Sequence, residues 1–168
     1  MIDPREQFSL VYDQYIEKIY RFVYVKVSSQ ETAQDLTSKV FLKGWEAYQR
    51  GENIKNPGAF LYQIARNMVI DHYREKGKEK TVSMDNVGQV ADLDSNPHEK
   101  AVAGADAELV KSAISRLKPD YQDVLILHYL EDMPAGQVAK VLHKPAVTVR
   151  VMIHRGLKML KEELIREN

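Results

Sequence analysis

A stretch without apolar periodicity, residues 78–104, divides this sequence into two halves that both carry helical patterns. The stretch has few large apolar side chains and is acidic, with one basic and six acidic residues over 81–110. Such a segment buries too little apolar surface to pack and predicts an extended, flexible linker. Each half of the 168-residue chain must therefore build a small core of its own.

Residues 1–77 predict a first domain made of helices. Apolar residues recur at steps of three and four from Pro4 to Val27, which indicates one amphipathic helix. Ser28 followed by Glu31 has the spacing of a capping box, so this pair predicts the start of a second helix.

The end of the second helix and the start of a third are also marked. Gly51 predicts a helix end, and Asn56-Pro57 has the residue types of an N-cap and a first helical position. The third helix is predicted to run toward Gly77, so that three helices share one core.

Helical patterns return in residues 105–168, the predicted second domain. A helix is predicted from Pro119 through Leu130, followed by a short one over Pro134–Leu142 and a final one from Val147 to about Glu167. The predicted fold class is therefore all-α, with two small helical domains joined by a flexible acidic linker.

The last two helices have the spacing of a helix-turn-helix. Ala139 is small where the helices would cross, and His143 occupies a turn position that favours a positive φ. In this motif the second helix enters the major groove of DNA. Thr148 at its start could bind a phosphate together with free backbone N–H groups.

Charge supports a nucleic-acid partner for the final helix. The formal net charge of the chain is zero, but Val138–Lys161 contains six Lys or Arg residues and no acid. Arg150, His154 and Lys158 are spaced to share one helix face, and such a face can neutralise phosphates and contact base edges. A solvated basic helix that binds nothing is the competing interpretation.

A second candidate lies in the third helix, where aromatic, amide and basic side chains alternate with apolar ones. Amides such as Gln63 and Asn67 can bond to base edges, and aromatic rings such as Phe60 can stack on unpaired bases. Core packing is the competing explanation for aromatic residues at helical spacing.

Several classes of protein are disfavoured. The chain has no cysteine, which excludes disulfides and thiolate ligands. No apolar run predicts a membrane span, and the N-terminus does not have the pattern of a secretory signal, so a cytoplasmic location is expected. No HExxH, nucleophile elbow or glycine-rich phosphate loop occurs, so we expect no enzyme, cofactor or metal site.

The order of these motifs resembles the extracytoplasmic-function (ECF) sigma factors of RNA polymerase. Ala33–Trp45 is followed by Pro57–Asn67, then by Leu117–Pro119 and by Thr148–Gly156. The resemblance covers about residues 5–165.

The resemblance implies a sigma factor that binds core RNA polymerase, recognises −10 and −35 promoter elements and assists promoter melting. It implies a region 2-like domain over 1–77, a linker over 78–104 and a region 4-like domain over 105–168. It also implies contacts to the β′ clamp helices and the β flap of the polymerase, and an anti-sigma factor as a further partner. Residues that match the core polymerase surface are Asp35, Leu36, Ser38, Lys39, Phe41, Leu42 and Trp45.

Two further sets of residues match DNA-binding positions of the family. The set implied to contact the −10 element and the melting point is Arg50, Asn53, Lys55, Asn56, Phe60, Gln63 and Asn67. The set implied to contact the −35 element is Thr148, Arg150, Val151, His154, Arg155 and Lys158.

Two alternatives remain open at the level of sequence. A helix-turn-helix transcriptional regulator would act as a dimer on palindromic sites without core polymerase. A helical interaction protein would contact no DNA, but it leaves the basic final helix unexplained.

Overall fold

The structure is a computed structural model, and it describes residues 3–80 and 105–167. These residues form seven helices and no strand, which confirms the all-α prediction. The predicted linker lies outside the described residues except for 78–80. In chain order the helices are α1 (Pro4–Val27), α2 (Gln30–Gln49), α3 (Pro57–Lys80), α4 (Ala105–Ser115), α5 (Pro119–Leu125), α6 (Ala135–Leu142) and α7 (Ala146–Glu167).

The chain divides into two compact units. We call Met1–Ser95 the N-terminal unit and Asn96–Asn168 the C-terminal unit. In the N-terminal unit α1, α2 and α3 all pack against one another, and in the C-terminal unit α7 packs against α4, α5 and α6.

The junction between α1 and α2 differs by one residue from its prediction. Ser28 ends α1 in a left-handed conformation, φ 58°, and its N–H donates to the carbonyl of Tyr24. The chain therefore turns one residue later than predicted. Ser29, not Ser28, caps α2, because its Oγ accepts from the backbone N–H of Thr32 at 3.2 Å.

The junction between α2 and α3 is as predicted. Gly51 follows α2 with φ at 77°, a conformation that glycine adopts without strain. The Oδ1 of Asn56 accepts from the N–H of Ala59 at 3.1 Å, and Pro57 is the first residue of α3. The helix continues to Lys80, three residues beyond the predicted end at Gly77.

Aromatic and branched apolar residues fill the core of the N-terminal unit. The rings of Phe22 and Tyr62, both fully buried, meet edge to face with centroids 5.5 Å apart. Gly44 allows α2 to approach its neighbours closely, because a Cβ there would lie 3.1 Å from the Leu61 side chain.

The core of the C-terminal unit forms around the buried side of α7. Val124, Leu127, Val138 and Val149 are fully buried. Gly156 lets α7 pack on α5, since a Cβ there would lie 3.3 Å from Leu125.

The helix that begins at Pro119 is not regular to its end, which corrects the prediction. Ile126–Leu130 forms a wider π-helical turn, and the N–H of Glu131 donates to the carbonyl of Ile126 at 3.1 Å. His128 Nδ1 lies 2.7 Å from the Met133 carbonyl, which holds the following chain against this turn.

Candidate nucleic-acid and protein interfaces

A tight turn orients α7 relative to α6. His143 adopts the left-handed conformation with φ at 54°, as its position predicts, and its N–H donates to the carbonyl of Ala139. The N–H of Lys144 donates to the same carbonyl at 3.1 Å. Lys144 Nζ also lies 3.6 Å from a carboxylate oxygen of Asp120, which connects the turn to α5.

Helix α7 has two distinct faces. Val149, Met152, Ile153 and Gly156 are buried, so one face belongs to the core of the C-terminal unit. The opposite face is exposed, and it carries all six residues predicted to contact the −35 element: Thr148, Arg150, Val151, His154, Arg155 and Lys158.

The exposed face of α7 is cationic. Within the described part of the chain, no carboxylate forms an ion pair with Arg150, Arg155 or Lys158. Their charges therefore face solvent and are available to an anionic partner. At the start of the helix, the backbone N–H groups of 146–148 precede the first helical bond, which the N–H of Val149 donates to the carbonyl of Pro145.

One exposed residue in the first turn of this face is absent from the predicted set. Val147 is 66% exposed and lies one turn before Val151. The sequence signal was its spacing of four to Val151 and seven to His154, which places all three on one helix face.

Four of the residues predicted to contact core polymerase form a surface on α2. Asp35, Ser38, Lys39 and Leu42 are all exposed. Lys39 Nζ pairs with the Asp35 carboxylate at 3.1 Å, and both side chains remain largely accessible to solvent. This surface combines an exposed ion pair with an exposed apolar side chain, Leu42.

The other three residues of that set point into the N-terminal unit. Leu36 and Phe41 are buried. Trp45 is half-buried, and its ring lies 5.6 Å from the ring of Phe8. Phe8 also contacts Phe41 and Tyr48, with ring centroids 6.2 and 5.4 Å away. Through Phe8, the rings of Phe41 and Trp45 hold α1 against α2 beneath the exposed surface.

A groove of about 800 Å³ runs between α2 and α3 beside this surface. Asp35, Ser38 and Lys39 line it from α2, while Asp71 and Glu75 line it from α3. Leu36 from α2 and Met68 from α3 also line it, so the groove combines charged and apolar side chains.

The residues predicted to contact the −10 element divide between the loop before α3 and α3 itself. Arg50, Asn53 and Lys55 are exposed, and Arg50 forms an ion pair with Glu52 at 3.2 Å. Asn56 caps α3, because its Oδ1 accepts a hydrogen bond from the backbone N–H of Ala59.

Three residues of this set follow one another along α3. Phe60 and Gln63 are half-buried, and Asn67 is exposed. Their spacings of three and four place them on one face of the helix. The helix thus presents an aromatic ring and two amides side by side.

Burial affects the ionisation of tyrosines in the N-terminal unit. Burial raises the pKa of Tyr73, whose hydroxyl donates to the carbonyl of Lys26 and joins α3 to the end of α1. Burial, followed by the neighbouring Tyr15, raises the pKa of Tyr48 in the aromatic cluster. Both phenols therefore stay neutral at physiological pH.

No group of three or more His, Asp or Glu residues suited to a metal ion occurs within 3–80 and 105–167. Among the described helices, none is both long and apolar enough to cross a membrane.

Two family profiles match most of the described chain. Sigma-70 region 2 matches residues 11–79, and Sigma-70 region 4 matches residues 107–160. The ECF RNA polymerase sigma factor SigX of Bacillus subtilis is 29% identical over 96% of this chain and 87% of its own length. The ECF sigma factor BldN of Streptomyces coelicolor is 28% identical over 92% of this chain, which spans 59% of BldN.

Two solved structures share the fold. The sigma factor RpoE of Bartonella quintana, in complex with the anti-sigma factor NepR, aligns with a TM-score of 0.75 at 22% identity. That alignment covers 97% of this chain and 99% of RpoE. CnrH, in complex with the cytosolic domain of CnrY, aligns with a TM-score of 0.69 at 17% identity and covers 98% and 91% of the two chains.

These matches favour a sigma factor over a dimeric regulator that works without polymerase. Both sigma-70 regions occur in this chain, in the family's order and one in each compact unit. The chain belongs to the extracytoplasmic-function sigma factors, the proteins that direct RNA polymerase to specific promoters.

Proposed function

We propose that the two units contact the two promoter elements separately, with the C-terminal unit on the −35 element and the N-terminal unit on the −10 element. The proposed domains are 1–77 and 105–168, joined by the segment 78–104, whose first three residues continue α3. The observation that carries the proposal is the exposed cationic face of α7, which follows a helix-turn-helix turn and has a separate buried face for packing.

In the C-terminal unit, Arg150, His154 and Arg155 would contact base edges or phosphates in the major groove. Lys158, more than two turns into the helix, would contact the phosphate backbone. Thr148, at the start of α7, would bind a phosphate together with the free N–H groups of the first turn. The charge of this face supports the assignment, because phosphate neutralisation supplies much of the affinity of DNA-binding proteins.

In the N-terminal unit, the loop before α3 and the exposed face of α3 would act on the −10 element. Arg50, Asn53 and Lys55 would hold an unpaired base and its phosphates. Phe60 offers a ring on which a base can stack, and Gln63 and Asn67 offer amides to base edges. Capture of an unstacked base would offset the few kcal/mol that unstacking costs.

The surface on α2 would bind core RNA polymerase at its β′ clamp helices, and the C-terminal unit would bind the β flap. Exposed Asp35, Ser38, Lys39 and Leu42 offer charged, polar and apolar contacts to such a partner. Leu36, Phe41 and Trp45 would act by supporting that surface.

Two further features complete the proposal. The similar solved sigma factors are complexes with an anti-sigma factor or a cytosolic domain of another protein, which supports an anti-sigma partner for this chain. The protein would act in the cytoplasm beside its polymerase and would contribute binding energy to initiation, without covalent chemistry of its own.

Genomic run-off transcription tests the proposal directly. Purified core RNA polymerase is supplied with genomic DNA fragments, with and without this protein, and the transcripts are sequenced. We expect discrete new transcripts, whose start sites define a −10 and a −35 element. Substitution of Arg150 and Arg155 by alanine should remove these transcripts and leave core polymerase binding intact.

Two results would contradict the proposal. If the protein binds DNA as a dimer and yields no new transcripts with core polymerase, the regulator is the correct function. If it binds neither DNA nor core polymerase, it is an interaction protein.

A further inference from the structure

Two valines occupy the exposed face of α7 at positions where a solvated helix gains nothing from them. Val147 is 66% exposed and Val151 is 41% exposed. β-Branched residues are weaker helix formers than alanine, lysine or glutamate, which exposed positions usually hold. Single exposed apolar residues are common on proteins, so the argument rests on where these two lie.

The two valines lie at the centre of the face and not at its edge. At 3.6 residues per turn, Val147, Val151, His154 and Lys158 form one line along the helix. Arg150 lies on one flank of this line and Arg155 on the other. Val149 and Ile153 are buried on the opposite side, so the valine line points directly away from the core.

The surroundings of the valines identify the partner as a polyanion. The segment Val138–Lys161 contains six Lys or Arg residues and no acidic residue. Among the described residues, no carboxylate pairs with either flanking arginine. A narrow apolar line between cationic flanks is complementary to a DNA groove, whose floor carries base edges and whose walls carry phosphates.

Only one apolar group lines the floor of the major groove, and it is the 5-methyl group of thymine. The first turns of a recognition helix are the part that contacts base edges, and both valines lie there. We propose that Val147 and Val151 read thymine methyl groups in the −35 element. This inference rests on the proposed function of the C-terminal unit and adds a determinant of promoter sequence to it.

Replacement of thymine by deoxyuridine tests the proposal, because it removes the methyl group and preserves base pairing. Holoenzyme assembled from the full-length protein and core polymerase first selects its −35 element from duplexes with a random sequence upstream of a fixed −10 element. Each thymine of the selected element, on either strand, is then replaced singly by deoxyuridine, and holoenzyme affinity is measured. At one or two thymines we expect a loss of about fourfold, the effect of removing one buried methyl group.

Alanine variants connect that loss to the two valines. Val151→Ala and Val147→Ala should each bind the thymine element more weakly and lose the difference between thymine and deoxyuridine at one position. Both variants should keep the fold, since alanine is the better helix former at exposed positions. Ile165→Ala, which removes an equally exposed residue near the other end of α7, is the matched control and should keep the full difference.

The outcomes separate this inference from the function on which it rests. Equal affinity for thymine and deoxyuridine at every position, with a defined −35 element, overturns the inference and leaves the sigma factor role intact. A selected element without an A·T pair also overturns it, as does a valine variant that weakens both DNAs equally. If holoenzyme selects no element at all, the proposed role of the C-terminal unit itself is wrong.

Discussion

The two units differ in how their candidate binding residues relate to their cores. In the C-terminal unit, the candidate DNA-binding residues lie on one face of α7, and residues such as Val149 fill the core from the other. In the N-terminal unit the two roles overlap, because Leu36 and Phe41 of the candidate polymerase set are buried and Asn56 caps a helix. Substitutions should therefore separate binding from stability in the C-terminal unit and mix them in the N-terminal unit.

The largest effect is expected from Phe22→Ala in the core of the N-terminal unit. Phe22 is fully buried against Tyr62, so its truncation should lower the free energy of unfolding by about 3–5 kcal/mol. Hydrogen exchange measures the effect by region. Amides within 3–80 should lose protection and those within 105–167 should keep it. Equal loss in both would contradict two separate cores.

Gly58→Ala should also destabilise the N-terminal unit, because a Cβ at Gly58 would lie 2.6 Å from the Tyr15 hydroxyl. Overpacking of this kind costs about 1–3 kcal/mol, measurable by chemical denaturation. Gly77→Ala on the same helix is the control: nothing lies within 4 Å of its Cβ, and it should be neutral or stabilising. Tyr15→Phe in the Gly58→Ala background should recover part of the lost stability. If it recovers none, the clash is not with the Tyr15 hydroxyl.

Arg150→Ala tests whether DNA binding and stability are separate in the C-terminal unit. We expect about a tenfold loss of holoenzyme affinity for a promoter, with the midpoint of unfolding unchanged. Arg166→Ala serves as the control, since Arg166 pairs with Glu163 at the far end of the same helix and should not alter DNA affinity. A large loss of stability in Arg150→Ala would mean that binding and packing are not separated on α7.

Lys39→Met should have a small effect on stability, because the Lys39–Asp35 pair is exposed to solvent. Exposed pairs on helices contribute about 0.3–0.5 kcal/mol. Loss of the charge should weaken binding to core polymerase by about two- to fivefold, as titration with labelled polymerase can measure. Arg74→Met removes a comparable exposed pair with Asp71 on α3 and provides the control. If both variants bind polymerase like the unmodified protein, the α2 surface is not the docking site.

The smallest effect is expected at alkaline pH. Burial raises the pKa of Tyr73 above its ordinary value of 10, so the folded state holds this proton more tightly than the unfolded state. The stabilisation is complete below pH 10 and is lost as the pH rises through the folded pKa. Tyr73→Phe should therefore show a shallower decline of stability above pH 10 than the unmodified protein. If stability declines equally above pH 10 in both proteins, ionisation of Tyr73 is not the cause.

Helix positions followed from the sequence where local chemistry determines them. The spacing of apolar residues predicted α1 from Pro4 to Val27, and Asn56-Pro57 predicted the start of α3. The cap of α2 was placed one residue early, because Ser28 and Ser29 are chemically equivalent and only the left-handed turn at Ser28 distinguishes them. The π-helical turn at Ile126–Leu130 occurs beside the contact between His128 and the Met133 carbonyl, and apolar periodicity predicts neither feature.

The candidate sites were harder to predict than the fold. A motif match assigns a position to a surface, but burial depends on the neighbouring helix. Phe41 lies under α1, where Tyr12 and Phe8 meet its ring. Val147 was missed for the opposite reason, since a valine is expected to be buried and only the orientation of α7 leaves it exposed.

The left-handed conformation of His143 limits which residues can replace it during evolution. A left-handed residue with a side chain is strained by roughly 1 kcal/mol relative to glycine, so the turn is maintained at a cost in stability. Replacement by glycine or asparagine relieves that strain without changing the exposed cationic face of α7, whereas a branched residue increases it. We therefore expect orthologues to carry histidine, asparagine or glycine at this position without a change in promoter preference.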